Sequence, residues 1–337
     1  MALTPIRRVV TRNDAHFVRV SCMVVLLLLL GMVTAQAQLY PVKPVRVVIP
    51  FPIGGNTDVY ARPISQKMAE LYAQQMIVDN RPGAGGSIGV EWVARAPADG
   101  YTLLWGTTSS HGVGPNVHKK LPYDAVKDFE PVILAVLAQS VLTVHPSVPV
   151  KSVKELIALA KARPAALNYA SSGNGTMSHL AGELFKHLTA TELVHIPFKG
   201  STPALVDLIS GQVQVMFGGL GSSLAHVKSG RLRALAVTGP ARFAALAELP
   251  TIAEAGVAGY EVTTWLAIFA PAKTPREVIT RLNSGVNEIL RLPDILKLMS
   301  DQGAAPGGGP PERLGGHVQT EIARWGKVVK AAGIRVD

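Results

Sequence analysis

The sequence predicts an α/β fold built as two lobes, each a largely parallel sheet flanked by helices. Three observations predict it. An apolar β-branched run, a glycine turn and a helical period follow one another from Val45 to Leu71. The same device recurs between Asn168 and Leu188. Two long apolar segments, Val132–Val144 and Tyr260–Pro271, are placed to carry the chain from one sheet to a second and back.

In the opening unit Val45, Val47, Val48, Ile49 and Phe51 read as a strand buried on both faces. Gly54-Gly55 breaks it, and Asn56, Thr57 and Asp58 can each cap the helix whose apolar face is Ile64, Met68 and Leu71. Pro63 would clash with a carbonyl four residues back, so the first turn is expected to be irregular or regular helix to begin near Arg62. Met76–Asp79 and Tyr101–Thr107 give two further strands. Between them Asn80–Gly86 forms a turn-rich cluster ahead of a helical segment beginning at Ser87. This βαβαβ order argues for a parallel sheet with its glycine turns along one edge, where Thr107 to Gly112 supplies a second wall of hydroxyls.

In the second half, Ser152 with Glu155 forms a capping box for a helix ended by Arg163-Pro164. Asn168–Ser171 is a strand, Ser172–Thr176 a glycine turn, and Leu180, Leu184, Phe185 and Leu188 line a helical face. Leu193–Phe198, Ser201–Ile209, Val213–Phe217, a short helix near Leu224 and Leu232–Thr238 complete the second unit. Helical patterns at Pro275–Leu290 and Pro311–Val329 follow the return crossing. The predicted organisation is a leader over 1–37, a discontinuous first lobe of 38–140 plus 265–337, and a continuous second lobe of 141–264.

The leader is read from Arg7, Arg8, Arg12 and Arg19, the apolar run Val20–Val33, and the small-x-small site Ala35-Gln36-Ala37. The run is shorter than the roughly 20 residues that span a bilayer, so cleavage after Ala37 and export to the periplasm are expected rather than anchoring. Cys22, the only cysteine, precedes any position from which a lipid could be attached. The chain after the leader can therefore form neither disulfides nor thiolate metal sites. A net charge of +10 is spread along the chain without dense basic runs or interleaved aromatics, which argues against nucleic acid. No histidine–carboxylate spacing suits a metal, and no glycine loop carries a nucleotide fingerprint, so no cofactor is expected. Gly85-Gly86-Ser87-Ile88-Gly89 fits the G-x-S-x-G pattern of a hydrolase, but Ser87 lies eight residues past Asp79 instead of at a strand end.

Glycine turns at facing strand ends, each opening a helix, suit an anion held by backbone N–H groups. A plain strand–helix connection would leave the same trace. The residues bounding such a cleft are Phe51, Gly54, Gly55, Asn56, Thr57, Asp58, Thr107, Ser109, Ser172, Gly173, Asn174, Gly175, Thr176, His179, Phe198 and Lys199. Asp58 can cap its helix or meet an amine or a water. Thr176 can serve its loop or point a hydroxyl outward, His179 can order the loop by a hydrogen bond, and Trp265 can be cleft wall or core.

Several blocks occur in one order: Ile49-Pro50-Phe51-Pro52 with Gly54-Gly55, Asn80–Gly86, Asp99–Leu104, Ser172–Thr176 with His179-Leu180, Lys199-Gly200, and Leu249-Pro250-Thr251 with Glu254-Ala255-Gly256. In these the chain resembles the Bug family of periplasmic solute-binding proteins, components of tripartite tricarboxylate-type transporters. The resemblance implies a type II, Venus flytrap fold with two hinge crossings and no catalysis. It further implies a small organic acid gripped by the two glycine loops of a monomer, partly through ordered water, with membrane transporter subunits or a membrane sensor as partners. Two positions depart from the family pattern: Gly218-Gly219 stands where many relatives carry Asp, and Phe198 where Tyr is frequent.

Overall fold

The computed structural model describes residues 40–243 and 246–334, so the leader, its cleavage site and Cys22 lie outside the described residues. Residues 1–42 and 43–337 separate as two units, and every element named below belongs to the second.

The ten strands among the described residues are organised around one of them. The first sheet holds β1 (Val45–Ile49), β2 (Met76–Asn80) and β3 (Thr102–Thr107), with β1 between the others and parallel to both. β4 (Phe129–Val144) then runs for 16 residues as a single strand. Its first part, Phe129 to Gln139, pairs antiparallel with β9 (Thr263–Pro271), which in turn pairs with β3. From Ser140 to Val144 it pairs instead with β7 (Val215–Gly219) and β8 (Arg233–Val237). β5 (Asn168–Ser171) and β6 (Val194–Pro197) complete the second sheet in parallel beside β7. The apolar segment expected to leave one sheet for another is thus one continuous strand that changes partners near Gln139 and Ser140.

The second crossing, Tyr260–Pro271, contains β9, and a single hydroxyl ties the two crossings together. Thr238 is fully buried. Its Oγ1 accepts from the Ser140 N–H (3.1 Å) and lies 3.1 Å from the Ser140 carbonyl and 2.7 Å from the Val262 carbonyl, to which it donates.

The helices are α1 (Asn56–Tyr72), α2 (Ser87–Ala94), α3 (Gly114–Val117), α4 (Val153–Ala162), α5 (Met177–Thr189), α6 (Ser201–Ile209), α7 (Leu220–Lys228), α8 (Arg276–Ile289), α9 (Pro293–Asp301) and α10 (Pro311–Ala331). Two expectations need correcting. α1 begins at Asn56 with Gly55 as its N-cap and runs through Pro63, so Asn56, Thr57 and Asp58 form its first turn instead of capping it. Pro63 only deprives the Val59 carbonyl of its usual donor, a loss a 17-residue helix with a buried face absorbs. The short helix α9 and β10 (Ala304–Pro306), which pairs with β4, had no clear sequence signal.

Of the hydrophobic clusters among the described residues, α10 reaches two, one under each sheet. Its Leu314 and Val318 pack with Val48, Leu104 and Phe269 beneath the first sheet. Its Trp325 and Val329 pack with the cluster of Tyr169, Phe185 and Phe217 beneath the second. Buried Glu321 accepts from the indole N–H groups of both Trp265 (3.2 Å) and Trp325 (3.1 Å), fixing helix and sheet together.

Because Thr238 serves both crossings, Thr238→Val should leave the Ser140 amide and the Val262 carbonyl short of a partner, at a cost of about 1–3 kcal/mol. Denaturant unfolding checks this; an unchanged midpoint with an unchanged slope would show that the hydroxyl does not hold the crossings.

Candidate functional site

The ends of β1, β3 and β5 each run into a turn and then a helix, β7 runs straight into α7, and the four strand ends face one another. Between them lies a cavity of about 70 Å³, several times the ~10–15 Å³ a single water requires. Phe51, Asn56 and Thr57 of the first glycine loop line it, with Thr107, Thr108 and Ser109 after β3 and Thr264, Trp265 and Leu266 of β9. From the second sheet come Ser140, Ser172, Met177, Ser178, Ser201 and Met216 to Gly219. Among the described residues, no Asp, Glu, Lys, Arg or His lines it.

Each wall is held by local hydrogen bonds. In the first loop buried Asp58 is the anchor: its carboxylate accepts from Gly54 N–H (3.0 Å), Arg62 Nε (2.8 Å) and Asn80 Nδ2 (3.0 Å). Asn80 Nδ2 also donates to the Phe51 carbonyl at 2.9 Å. Burial would raise the Asp58 carboxyl, but the bonds from Arg62, Gly54 and Asn80 outweigh it and hold it below its ordinary value. After β3 a π-helical turn over Thr108–Val113 opens with a reciprocal pair, Ser110 N–H to Thr107 Oγ1 and Thr107 N–H to Ser110 Oγ, and Trp265 N–H donates to Thr108 Oγ1 at 2.7 Å.

The second glycine loop is stapled likewise. The fully buried Thr176 donates its hydroxyl to the Gly173 carbonyl (2.7 Å), and Gly175 N–H donates to His179 Nδ1 (3.2 Å). His179 stacks on His195 at 4.0 Å between ring centroids, and His195 Nε2 lies 2.6 Å from Ser171 Oγ.

Contacts also run directly between the two halves. Met177 N–H donates to Ser109 Oγ (3.0 Å), Asn56 N–H to Ser201 Oγ (3.4 Å), and Thr202 Oγ1 to the Ile53 carbonyl (3.1 Å). Gly85, at φ 65°, comes so near the second loop that a Cβ would sit 2.8 Å from the Asn174 carbonyl oxygen.

The sequence-derived candidates therefore divide three ways. Phe51, Asn56, Thr57, Thr107, Ser109 and Ser172 line the cavity. Gly173, Asn174, Phe198 and Lys199 border a second, outer cavity of about 420 Å³, and Phe51 and Ser172 stand between the two. Gly54, Gly55, Asp58, Gly175, Thr176 and His179 line neither; Asp58, Thr176 and His179 shape the loops, and the Thr176 hydroxyl is committed inward. Trp265 proves to be both wall and core, 1% exposed with its N–H on Glu321. Sequence reasoning passed over Ser140, Ser178, Ser201 and Met216. Ser201, at the start of a helix after a glycine, carried a signal of the same kind as Asn56. Ser87 opens α2 after a 3₁₀ turn, not at the end of a strand, so the hydrolase elbow is not formed.

Burial, with the neighbouring His179, holds His195 down to about 4, and burial lowers His179 as well. A histidine in the unfolded chain titrates near 6.5, so between about pH 6.5 and 4 the unfolded chain binds protons that the fold refuses. Stability is expected to be complete above pH 6.5 and to decline as pH falls toward 4. His195→Gln should flatten that decline in melting temperatures taken from pH 7.5 to 5; an identical profile would exclude His195 as its source.

Residues 60–334 match the family model described as the tripartite tricarboxylate transporter family receptor. Protein BugT of Bordetella pertussis is 36% identical over 302 residues, covering 89% of this chain and 93% of that one. Among solved structures, R. palustris Rpa4515 with adipate superimposes at a TM-score of 0.86 with 43% identity, covering 88% of this chain and 99% of that one. MatC from Rhodopseudomonas palustris with bound malate does so at 0.83 with 33% identity, covering 86% and 100%. With two sheets joined by a shared strand and a cavity where their loops meet, matched along nearly the whole described length, the chain belongs to the tripartite tricarboxylate transporter receptors, periplasmic two-lobed proteins that bind a solute without transforming it.

Proposed function

We propose that this receptor holds a small organic acid by its carboxylate, through the backbone N–H groups that open α1 and α5, and hands it to the membrane subunits of a tripartite transporter. One observation carries the reading. The N–H groups of Thr57 and Asp58 in α1, and of Ser178 and His179 in α5, have no acceptor among the described residues, and Thr57 and Ser178 stand at the cavity wall. An anion placed there meets the positive ends of two helix dipoles, one from each sheet. Each hydrogen bond to a charged group contributes about 1.5–3 kcal/mol, so a few from each side suffice to hold the two halves closed. That relatives were solved with adipate and with malate supports an acid of this size.

In this reading the first lobe is 38–140 plus 265–337 and the second 141–264, exchanging at Ser140 of β4 and at the start of β9, with the end of α10 resting on the second core. The exported chain starts at Gln38 after cleavage at Ala37.

Two measurements test this. Succinate, malate or adipate at a hundred times its dissociation constant should stabilise the fold by about 2.7 kcal/mol and raise its Tm, whereas the corresponding diamides should not. Equal shifts from acids and diamides would overturn carboxylate recognition. Intact-mass analysis of exported protein should give a chain beginning at Gln38; a retained leader would contradict the cleavage assignment.

A further inference from the structure

Resting on the carboxylate reading above, we infer that the cavity selects against an amino group: it takes acids whose carbon chain bears hydrogen or hydroxyl and rejects the matching amino acids. Taking an ammonium group out of water is costly unless a carboxylate pairs with it. Among the described residues the cavity lining contains no Asp or Glu to do so. The nearest acid in sequence, Asp58, has both oxygens occupied by Gly54, Arg62 and Asn80 and does not line the cavity.

The surroundings also carry the wrong sign. Four helices of nine or more residues, α1, α5, α6 and α7, begin at or next to lining residues, and their amino ends are positive. An ammonium would be repelled by the same ends that attract the carboxylate. A hydroxyl meets no such barrier. The side-chain hydroxyls of Thr57 and Ser140 line the cavity and have no partner among the described residues, so each can donate to or accept from a hydroxyl on the ligand. Phe51, Met177 and Met216 give the wall apolar stretches for the ligand's carbon chain.

The geometry further identifies Gly218 as the position that decides this preference. It lines the cavity, and a Cβ there would meet only the flexible thioether of Met216, its Cε at 3.1 Å and Sδ at 3.4 Å. At neighbouring Gly219 a Cβ would instead collide with the Asn56 amide. An acidic side chain is therefore accommodated at 218, where it would supply the missing counter-charge.

Calorimetric titration of the full mature protein with matched pairs tests the inference: succinate with aspartate, glutarate with glutamate, and 3-phenylpropionate with phenylalanine. In at least one pair the plain acid should bind, and its amino counterpart should bind about a hundredfold more weakly or not at all, with malate within about tenfold of succinate. Gly218→Asp should narrow the gap within the pair by at least about tenfold, while Gly218→Asn, similar in size and uncharged, should not. Amino acids binding the unaltered protein as tightly as their plain acids would overturn the inference and leave carboxylate recognition standing. If the diamides of these acids bind and the acids do not, the carboxylate reading falls and this inference with it.

Discussion

A cavity with no charged side chain among the described residues of its wall must hold an anion with neutral donors, backbone N–H groups and hydroxyls fixed in place, and the rest of the structure follows from that constraint. A free N–H group is worth most to a ligand when it is fixed before the ligand arrives, because no ordering cost then falls on binding. The polar side chains nearest the two glycine loops are accordingly spent on the loops. Asp58 and Asn80 hold the backbone of Phe51 and Gly54, while Thr176 and His179 hold that of Gly173 and Gly175. What they leave open is the first turn of each helix.

Fixing the loops within each sheet would achieve little if the sheets themselves were poorly joined. β4 serves both, exchanging β9 for β7 and β8 at the point where Ser140 reaches the cavity wall. Thr238 bonds that residue to the return crossing, and Glu321 ties α10 to β9 through Trp265, itself a wall residue. The site and the crossings thus share residues. A ligand that draws the loops together acts on the strand that joins the halves, which is the coupling a binding protein of two lobes requires.

Much of this was legible in the sequence, and the reasons differ from place to place. The strands and helices of both units showed because buried parallel strands read as apolar runs and their turns are marked by glycine; Asn168–Ser171 and Ser201–Ile209 were located to the residue. Two long apolar segments gave the crossings, although periodicity could not reveal that Val132–Val144 belongs to one strand with two sets of partners. The site was only half legible. Loop position marked Phe51, Asn56, Thr57, Thr107, Ser109 and Ser172, but whether a hydroxyl faces a ligand or its own backbone is a matter of rotamer and neighbour, as Thr176 shows. Ser140 and Met216 carried no local mark at all, since they reach the cavity only because β4 and β7 pair across it.

The most direct test of the central claim is a crystal structure of the protein with whichever plain acid binds. The ligand's carboxylate oxygens should lie about 2.7–3.1 Å from the backbone nitrogens that open α1 and α5, directly or through one ordered water, with no cationic side chain in contact. A carboxylate found instead on Lys199 in the outer cavity, with those N–H groups turned to a neutral part of the molecule, would contradict it.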